Sequence, residues 1–230
     1  NLAAADQATD TPTNNFCTGN PLDNYYAGDT FSEGNCKVTT SSAYGFSRCT
    51  IGLSTGKWYW EVKATNIQAN DYTVGVSSRA AANATDWTGK NAESYSYVNS
   101  DGKSYTNDTG SSYGDTYATG DIIGVYLDLD NNKIYWAKNG TVQNSGTGVA
   151  ITAVASTSDG VYYPCAGIWS GHSGSIMDFN FGGCPAFALS SAVADDDGYG
   201  NFEYDPTAGT FDSASKKFYA ICTKNLAEYG

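Results

Sequence analysis

The single histidine of the chain is the residue best suited to general-base catalysis. His172 lies among small residues in the segment SGHSG, residues 170–174. A serine or cysteine nucleophile would need this imidazole as its base, with a third group to orient it. No recognisable triad motif surrounds His172. The sequence therefore predicts no catalytic residue, and His172 is kept as a candidate binding residue.

Carboxylates offer a second chemistry, because glycoside hydrolysis uses two acids about 5 to 10 Å apart. Glu61 and Asp178 fall on predicted strands beside Trp60 and Phe179, at the outward positions of an alternating pattern. We expect both to be solvated side chains on strand faces. Polysaccharide hydrolysis thus remains a disfavoured alternative.

Metal and cofactor motifs are missing from the sequence. Residues 195–201, DDDGYGN, lack the spaced ligands and closing glutamate of an EF-hand loop and are predicted to form a solvated turn. Neither a CxxC pair nor a phosphate-binding glycine loop occurs. We predict no metal and no cofactor.

The aromatic side chains point to recognition instead. They make up 14% of the chain and include 18 tyrosines and 5 tryptophans, more than two layers of strands require. Tyr and Trp provide large, stiff contact surfaces at low entropic cost, for protein or sugar ligands. We expect several to face solvent at loop tips. The candidates are Trp87, Tyr95, Tyr97, Tyr105 and Tyr113.

Charge and hydropathy exclude two classes of partner. The chain carries 12 basic and 24 acidic residues, a formal net charge of -12, which repels nucleic acid backbones. No apolar run approaches the roughly 20 residues that a membrane-spanning helix needs. The chain does not start with Met or with a signal-peptide pattern, so Asn1 is either a processed terminus or, as we expect, a position inside a longer protein. At 230 residues it fits one domain.

The six cysteines are an even number in a chain of extracellular composition, which permits up to three disulfides. Their order along the chain favours bridges within short turn or strand segments and one bridge between the ends. The predicted pairs are Cys17 with Cys222, Cys36 with Cys49, and Cys165 with Cys184. The alternative is that all six are reduced and act as small apolar side chains.

The clearest structural element is a hairpin in residues 120–140, GDIIGVYLDLDNNKIYWAKNG. Its two arms alternate, so that one face is predicted to join the core and the other to be wetter. We predict a two-residue turn at Asn131 and Asn132, which tolerate the left-handed backbone that such turns require. The core face would hold Val125, Leu127, Leu129, Ile134 and Trp136, and the wetter face Tyr126, Asp128 and Tyr135.

This hairpin resembles the central hairpin of the SPRY domain, and further motifs occur in the family's order. They are GKWYWEV at 56–62, YTVGV at 72–76, YYPCAG at 162–167 and FNFG at 179–182. The resemblance spans about residues 24–187. It implies an all-β fold, a bent antiparallel two-sheet β-sandwich of the concanavalin A type with little helix. It also implies a noncatalytic module used mainly for protein binding.

The resemblance adds one site residue. Trp169 follows the YYP strand and is similar to an aromatic near the binding surface of peptide-binding SPRY domains. The segment 94–105 is placed like another binding loop. We find no counterpart of the Arg and Asp residues that eukaryotic members use, so no eukaryotic ligand is inferred. The candidate ligand-binding residues are Trp87, Tyr95, Tyr97, Tyr105, Trp169 and His172.

The flanking segments suggest a setting. We predict an extended lead-in at residues 1–23 that packs on the domain, and an extension at 188–230 whose final strand returns towards the N-terminus. Three stretches, TPTNNFCTGNPLDNYY at 11–26, DGYGNFEYDPTAG at 197–209 and FYAICTKNL at 218–226, resemble segments that flank SPRY domains in structural proteins of tailed bacteriophages. This implies a virion protein, such as a tail fibre or surface appendage, that contacts a host-cell glycan or protein. The alternative is an assembly module that contacts neighbouring virion subunits, including other copies of itself.

Overall fold

The computed structural model describes residues 10–24, 28–41, 44–68, 72–169 and 173–230. These residues form two sheets and one α-helix, which confirms the predicted β-sandwich. The strands are β1 (Thr30–Ser32), β2 (Lys37–Thr39), β3 (Gly45–Arg48), β4 (Lys57–Asn66), β5 (Tyr72–Ser77), β6 (Ser94–Val98), β7 (Lys103–Thr106), β8 (Thr109–Ser112), β9 (Ile122–Asp128), β10 (Lys133–Lys138), β11 (Thr141–Val142), β12 (Val149–Ala150), β13 (Tyr163–Ile168), β14 (Ile176–Asn180) and β15 (Tyr219–Ala220), and the helix is α1 (Thr223–Tyr229).

The two sheets face each other across one core. The nine-stranded sheet has the order β1-β2-β14-β4-β9-β10-β11, with β12 on β10 and β15 on β4, and the six-stranded sheet has the order β3-β13-β5-β6-β7-β8. Alternate residues of both sheets, among them Trp60, Val74, Tyr97 and Trp136, are buried between them. The indole N–H of Trp136 donates to the carbonyl of Val74 at 3.0 Å. This bond links the two sheets across the core.

The hairpin of β9 and β10 has the predicted core face but not the predicted turn. Val125 and Trp136 are direct partners, and both lie in the core. Asp128 pairs with Lys133, so four residues, 129–132, form the loop rather than two. The prediction of a two-residue turn is therefore wrong, and of the two asparagines only Asn132 has a left-handed backbone, with φ of 52°.

The face of this hairpin that was predicted to be wetter is buried, so that prediction is wrong. Tyr126 is 1% exposed and Asp128 is fully buried. The C-terminal segment covers this outer face of the nine-stranded sheet and forms a second apolar cluster with it. This outer cluster consists of Phe16, Tyr59, Tyr126, Tyr135, Ala137, Phe202, Phe211, Phe218, Ala220 and Cys222. Strand alternation shows which way a side chain points, but not whether a distant segment covers it.

The two ends of the described chain meet beside β4. Tyr219 of β15 pairs in parallel with Trp58 of β4. The backbone N–H of Cys17 donates to the carbonyl of Ile221 at 3.0 Å. The backbone N–H of Thr50 donates to the carbonyl of Thr18 at 2.8 Å. The lead-in thus lies between the C-terminal segment and the residues that follow β3. The domain boundaries at 23/24 and 187/188 stay predictions.

The predicted disulfides, Cys17–Cys222, Cys36–Cys49 and Cys165–Cys184, are wrong. All six cysteines are free, and all but Cys184 are buried. The fold gives these thiols other neighbours: Cys17 lies beside Cys49, and the Cys165 thiol is 3.0 Å from the Thr88 hydroxyl. Burial raises the pKa of Cys36 and of Cys165 to about 12, so these thiols stay protonated. The five buried cysteines pack as small apolar groups, which was the alternative to disulfide bonding.

Candidate binding surface

Three aromatic rings from distant parts of the chain meet in one cluster, which we call the aromatic trio. Trp87 and Trp169 have ring centroids 5.1 Å apart, with an interplanar angle of 76°. Tyr105 is 5.6 Å from each of them, at 69° to Trp87 and 64° to Trp169. All three pairs are edge-to-face, a geometry that the charge distribution of aromatic rings favours. The structure thus brings together three of the six candidate residues.

Strand alternation places the trio on the outer face of the six-stranded sheet. Tyr97 points into the core, so its neighbour Ser96 and the cross-strand partner of Ser96, Tyr105, point outward. Ile168, the last residue of β13, also points into the core. Trp169 follows it and contacts Tyr105 on the outer side. The trio therefore lies on the side of the sheet away from the core.

The loop between β5 and β6, residues 78–93, folds back over this outer face. Trp87 is 3% exposed and Thr88 is fully buried, with its hydroxyl 3.0 Å from the Cys165 thiol. Gly89 has a φ of 112°, and a Cβ there would lie 2.5 Å from the Ser96 hydroxyl. Only glycine lets the loop lie this close to the sheet. The loop thus fixes Trp87 beneath the other two rings.

Tyr105 and Trp169 are only partly buried and keep ring surface open to solvent. The Tyr105 hydroxyl donates to Asp101 at 2.8 Å. Partial burial, and the hydrogen bond and charge of Asp101, raise the pKa of Tyr105 to about 12, so the hydroxyl keeps its proton at neutral pH. The trio offers stacking and apolar contact, and its one hydroxyl is protonated and bonded to Asp101.

The sequence profile of the SPRY domain matches residues 57–183, more than half of the chain and all of the trio. The chain belongs to the SPRY domain family. SPRY domains generally serve as noncatalytic modules that mediate protein–protein binding. Among the candidate residues of this SPRY domain that the structure describes, Tyr105 and Trp169 are partly exposed, whereas Trp87, Tyr95 and Tyr97 are buried.

Solved structures agree with the family. The chain is similar to the SPRY domain of human HERC1, with 18% sequence identity, a TM-score of 0.55, and coverage of 74% of this chain and 99% of that one. A second human SPRY domain matches with 18% identity, a TM-score of 0.50, and coverage of 66% and 93%. Likeness at this identity shows the fold. No curated protein sequence matches the chain. No helix in the described ranges is long and apolar enough to span a membrane.

Three tyrosines that were predicted at exposed loop tips are buried in the core of the SPRY domain instead. Tyr95, Tyr97 and Tyr113 are 5%, 0% and 6% exposed. Their hydroxyls bond within the protein: Tyr113 accepts the backbone N–H of Trp136 at 2.9 Å, and Tyr95 lies 3.0 Å from the hydroxyl of Thr152. The predicted exposure is wrong for these three and for Trp87. His172 lies outside the described residues.

Glu61 was predicted to be solvated and is instead fully buried, so that prediction is wrong. Its carboxylate accepts the Tyr59 hydroxyl and the Asn180 side-chain amide, each at 2.9 Å. It also accepts the backbone N–H groups of Glu203 at 3.0 Å and Tyr204 at 2.8 Å. Burial raises the pKa of Glu61, against the effect of these bonds. The two bonds from Glu203 and Tyr204 tie the C-terminal segment to β4.

The other acids with candidate chemistry also have structural partners. Asp178, predicted to be solvated, is 3% exposed and accepts the Thr65 hydroxyl at 2.6 Å, so that prediction is wrong too. Asp195, in the acidic turn, accepts the backbone N–H of Ala220 at 2.9 Å and the Asn225 side chain at 2.7 Å. Across the described ranges no group of three or more His, Cys, Asp or Glu side chains is arranged to hold a metal ion.

Proposed function

We propose that this SPRY domain is a noncatalytic binding module that contacts its partner through the aromatic trio. The observation that carries the proposal is the partial exposure of Tyr105 and Trp169 above a buried Trp87, on the outer face of a rigid sheet. Partly open Tyr and Trp rings are the side chains most often found at binding hot spots. Tyr95 and Tyr97 lie on the core side of the same sheet.

We further propose that the module belongs to a virion protein of a tailed phage and contacts a host-cell glycan or protein outside the cell. What supports this setting is the sequence resemblance of the lead-in and of residues 188–230 to segments of phage structural proteins. Both ligand classes suit the trio, because sugars and peptides each stack on aromatic rings. A single shallow site binds weakly, but many copies on one particle would strengthen attachment by about 10²- to 10⁴-fold.

The test is binding of the domain, displayed in many copies on beads, to intact bacterial cells and to a glycan array. We expect saturable binding that falls at least about tenfold in Trp169→Ala. Leu22→Ala is the matched control, because Leu22 is an apolar side chain that is 94% exposed and lies outside the trio. Its binding should equal that of the wild type.

Two results would contradict the proposal. Binding that survives in a folded Trp169→Ala variant would show that the trio is not the contact surface. No saturable binding by the multivalent domain, together with self-association in light scattering, would favour the assembly module that contacts neighbouring virion subunits.

A further inference from the structure

The strand β8 forms an uncovered edge of the six-stranded sheet. All four of its residues, Thr109–Ser112, are exposed, and all are small and uncharged. The opposite edge, β3, is covered by the lead-in, where the backbone N–H of Asn20 donates to the carbonyl of Arg48 at 3.0 Å. Proteins usually protect an open edge with lysine, proline or a bulge, because its free backbone groups pair with other strands. β8 carries neither a lysine nor a proline.

The turn before β8 defines which backbone groups are open. Asn107 and Asp108 have φ of 50° and 58°, the left-handed values of a two-residue turn, and Thr106 and Thr109 close it as partners. In an antiparallel pair alternate residues bond the neighbouring strand, so Gly110 and Ser112 turn their N–H and C=O groups away from β7. Among the described residues no hydrogen bond reaches these outward groups.

The open edge adjoins the aromatic trio. Gly110 is the cross-strand partner of Tyr105, and a Cβ on Gly110 would lie 2.6 Å from Cζ of that ring. The Tyr105 ring therefore rests on Gly110, with its hydroxyl end towards the edge. A strand added to β8 would place the side chain opposite Gly110 against this ring. The edge and the trio thus form one continuous surface.

Charge identifies the kind of strand that fits. The chain has a net charge of -12, and the acidic side chains of Asp101 and Asp108 both act on the Tyr105 hydroxyl. Lys103 pairs with Asp101 at 3.2 Å and offsets one of these charges. A basic segment would be attracted to this surface, whereas a second copy of the chain would be repelled by like charge.

We propose that β8 receives an extended, basic peptide segment of a partner protein as an added strand, and that the trio contacts the outward side chains of that segment. This inference rests on the proposed function, since it names the partner of the same surface. Main-chain hydrogen bonds would provide affinity, and the alternating side chains would provide specificity.

The experiment selects binders from a displayed library of random short peptides and measures the affinity of the best one for the purified domain. We expect selected peptides with net positive charge that protect the amides of Gly110 and Ser112 from hydrogen exchange. Ser112→Pro removes one outward N–H and should weaken binding at least about tenfold, about 1.4 kcal/mol. Ser111→Ala keeps the backbone and is the matched control, with unchanged affinity expected.

The possible outcomes separate this inference from the proposed function. Peptide binding that is lost in Trp169→Ala but leaves the exchange of both amides unchanged would overturn strand addition and keep the trio as the site. Selection of neutral or acidic peptides would overturn the basic partner. Dimerisation that Ser112→Pro abolishes would replace the partner segment with a second copy. If no peptide binds, strand addition is wrong, and the cell and glycan assay alone decides the proposed function.

Discussion

The two outer faces of the sandwich are both rich in aromatic residues, but they are covered in different ways. On the nine-stranded sheet, Phe202, Phe211 and Phe218 of the C-terminal segment bury Tyr126 and Tyr135 in the outer cluster. On the six-stranded sheet one loop covers part of the face, and the trio stays partly open. Aromatic content alone therefore does not identify a binding face. What matters is whether another segment of the same chain already occupies the rings.

The two faces also differ in how their covers are held. The C-terminal segment is tied to β4 by Glu61, whose carboxylate accepts backbone N–H groups from Glu203 and Tyr204. The trio is held by ring contacts and by the Thr88–Cys165 contact under its loop. Removing the C-terminal cover would leave the Glu61 carboxylate without two of its four donors and would expose a large apolar surface at once. We therefore expect the covered face to govern stability and the open face to govern binding.

The largest effect should come from Glu61→Ala. The substitution strands the four donors that the carboxylate accepts in a buried site, and we expect a loss of about 5 kcal/mol in the free energy of unfolding. Urea denaturation measures it, with the exposed Glu228→Ala as control, which should stay within about 0.5 kcal/mol of the wild type. A loss below about 1 kcal/mol would show that Glu61 does not anchor the C-terminal segment.

A pair of aromatic truncations should separate the two faces. Phe211 is fully buried and contacts Tyr126 and Phe218 at centroid distances of 4.7 and 4.9 Å, so Phe211→Ala should cost about 3–4 kcal/mol. Trp169→Ala loses two edge-to-face contacts and should cost about 1–2 kcal/mol. Thermal and urea unfolding, measured beside the cell-binding assay, should show stability lost in the first variant and binding lost in the second. Equal stability losses would contradict the division between the faces.

The smallest effect concerns Asp212, at the rim of the outer cluster. It accepts the Tyr135 hydroxyl at 2.7 Å and the Gly148 N–H at 3.1 Å, and these bonds lower its pKa below the ordinary 3.8. A lowered pKa means that the carboxylate adds stability above the unfolded value, and that this is lost as pH falls through the folded value. Asp212→Asn should therefore cost under about 1 kcal/mol at neutral pH. Urea unfolding of both proteins from about pH 7 to about pH 2.5 should show the difference vanish in acid, and a constant difference would contradict this assignment.

The hairpin strands β9 and β10 could be predicted from sequence, because the alternation of side chains is a local property of extended backbone. Val125, Leu127, Ile134 and Trp136 all lie in the core as the pattern indicated. The motif order also led to the SPRY family, which the family profile confirms. The prediction of a two-residue turn at Asn131 and Asn132 was wrong, because a two-residue loop and a four-residue loop are both compatible with the same alternation.

Tertiary structure alone decided which outward residues meet water. Tyr126, Glu61 and Asp178 take outward strand positions and are nevertheless buried, because residues from distant parts of the chain lie over them or bond them. The trio has the same origin: Trp87, Tyr105 and Trp169 come from two loops and a strand, and nothing in their local sequences shows that they meet. Local sequence patterns thus indicated the hairpin strands, their core-facing residues and the family. Which face is sealed and which is open depends on contacts between residues far apart in the chain, and local periodicity carries no information about those contacts.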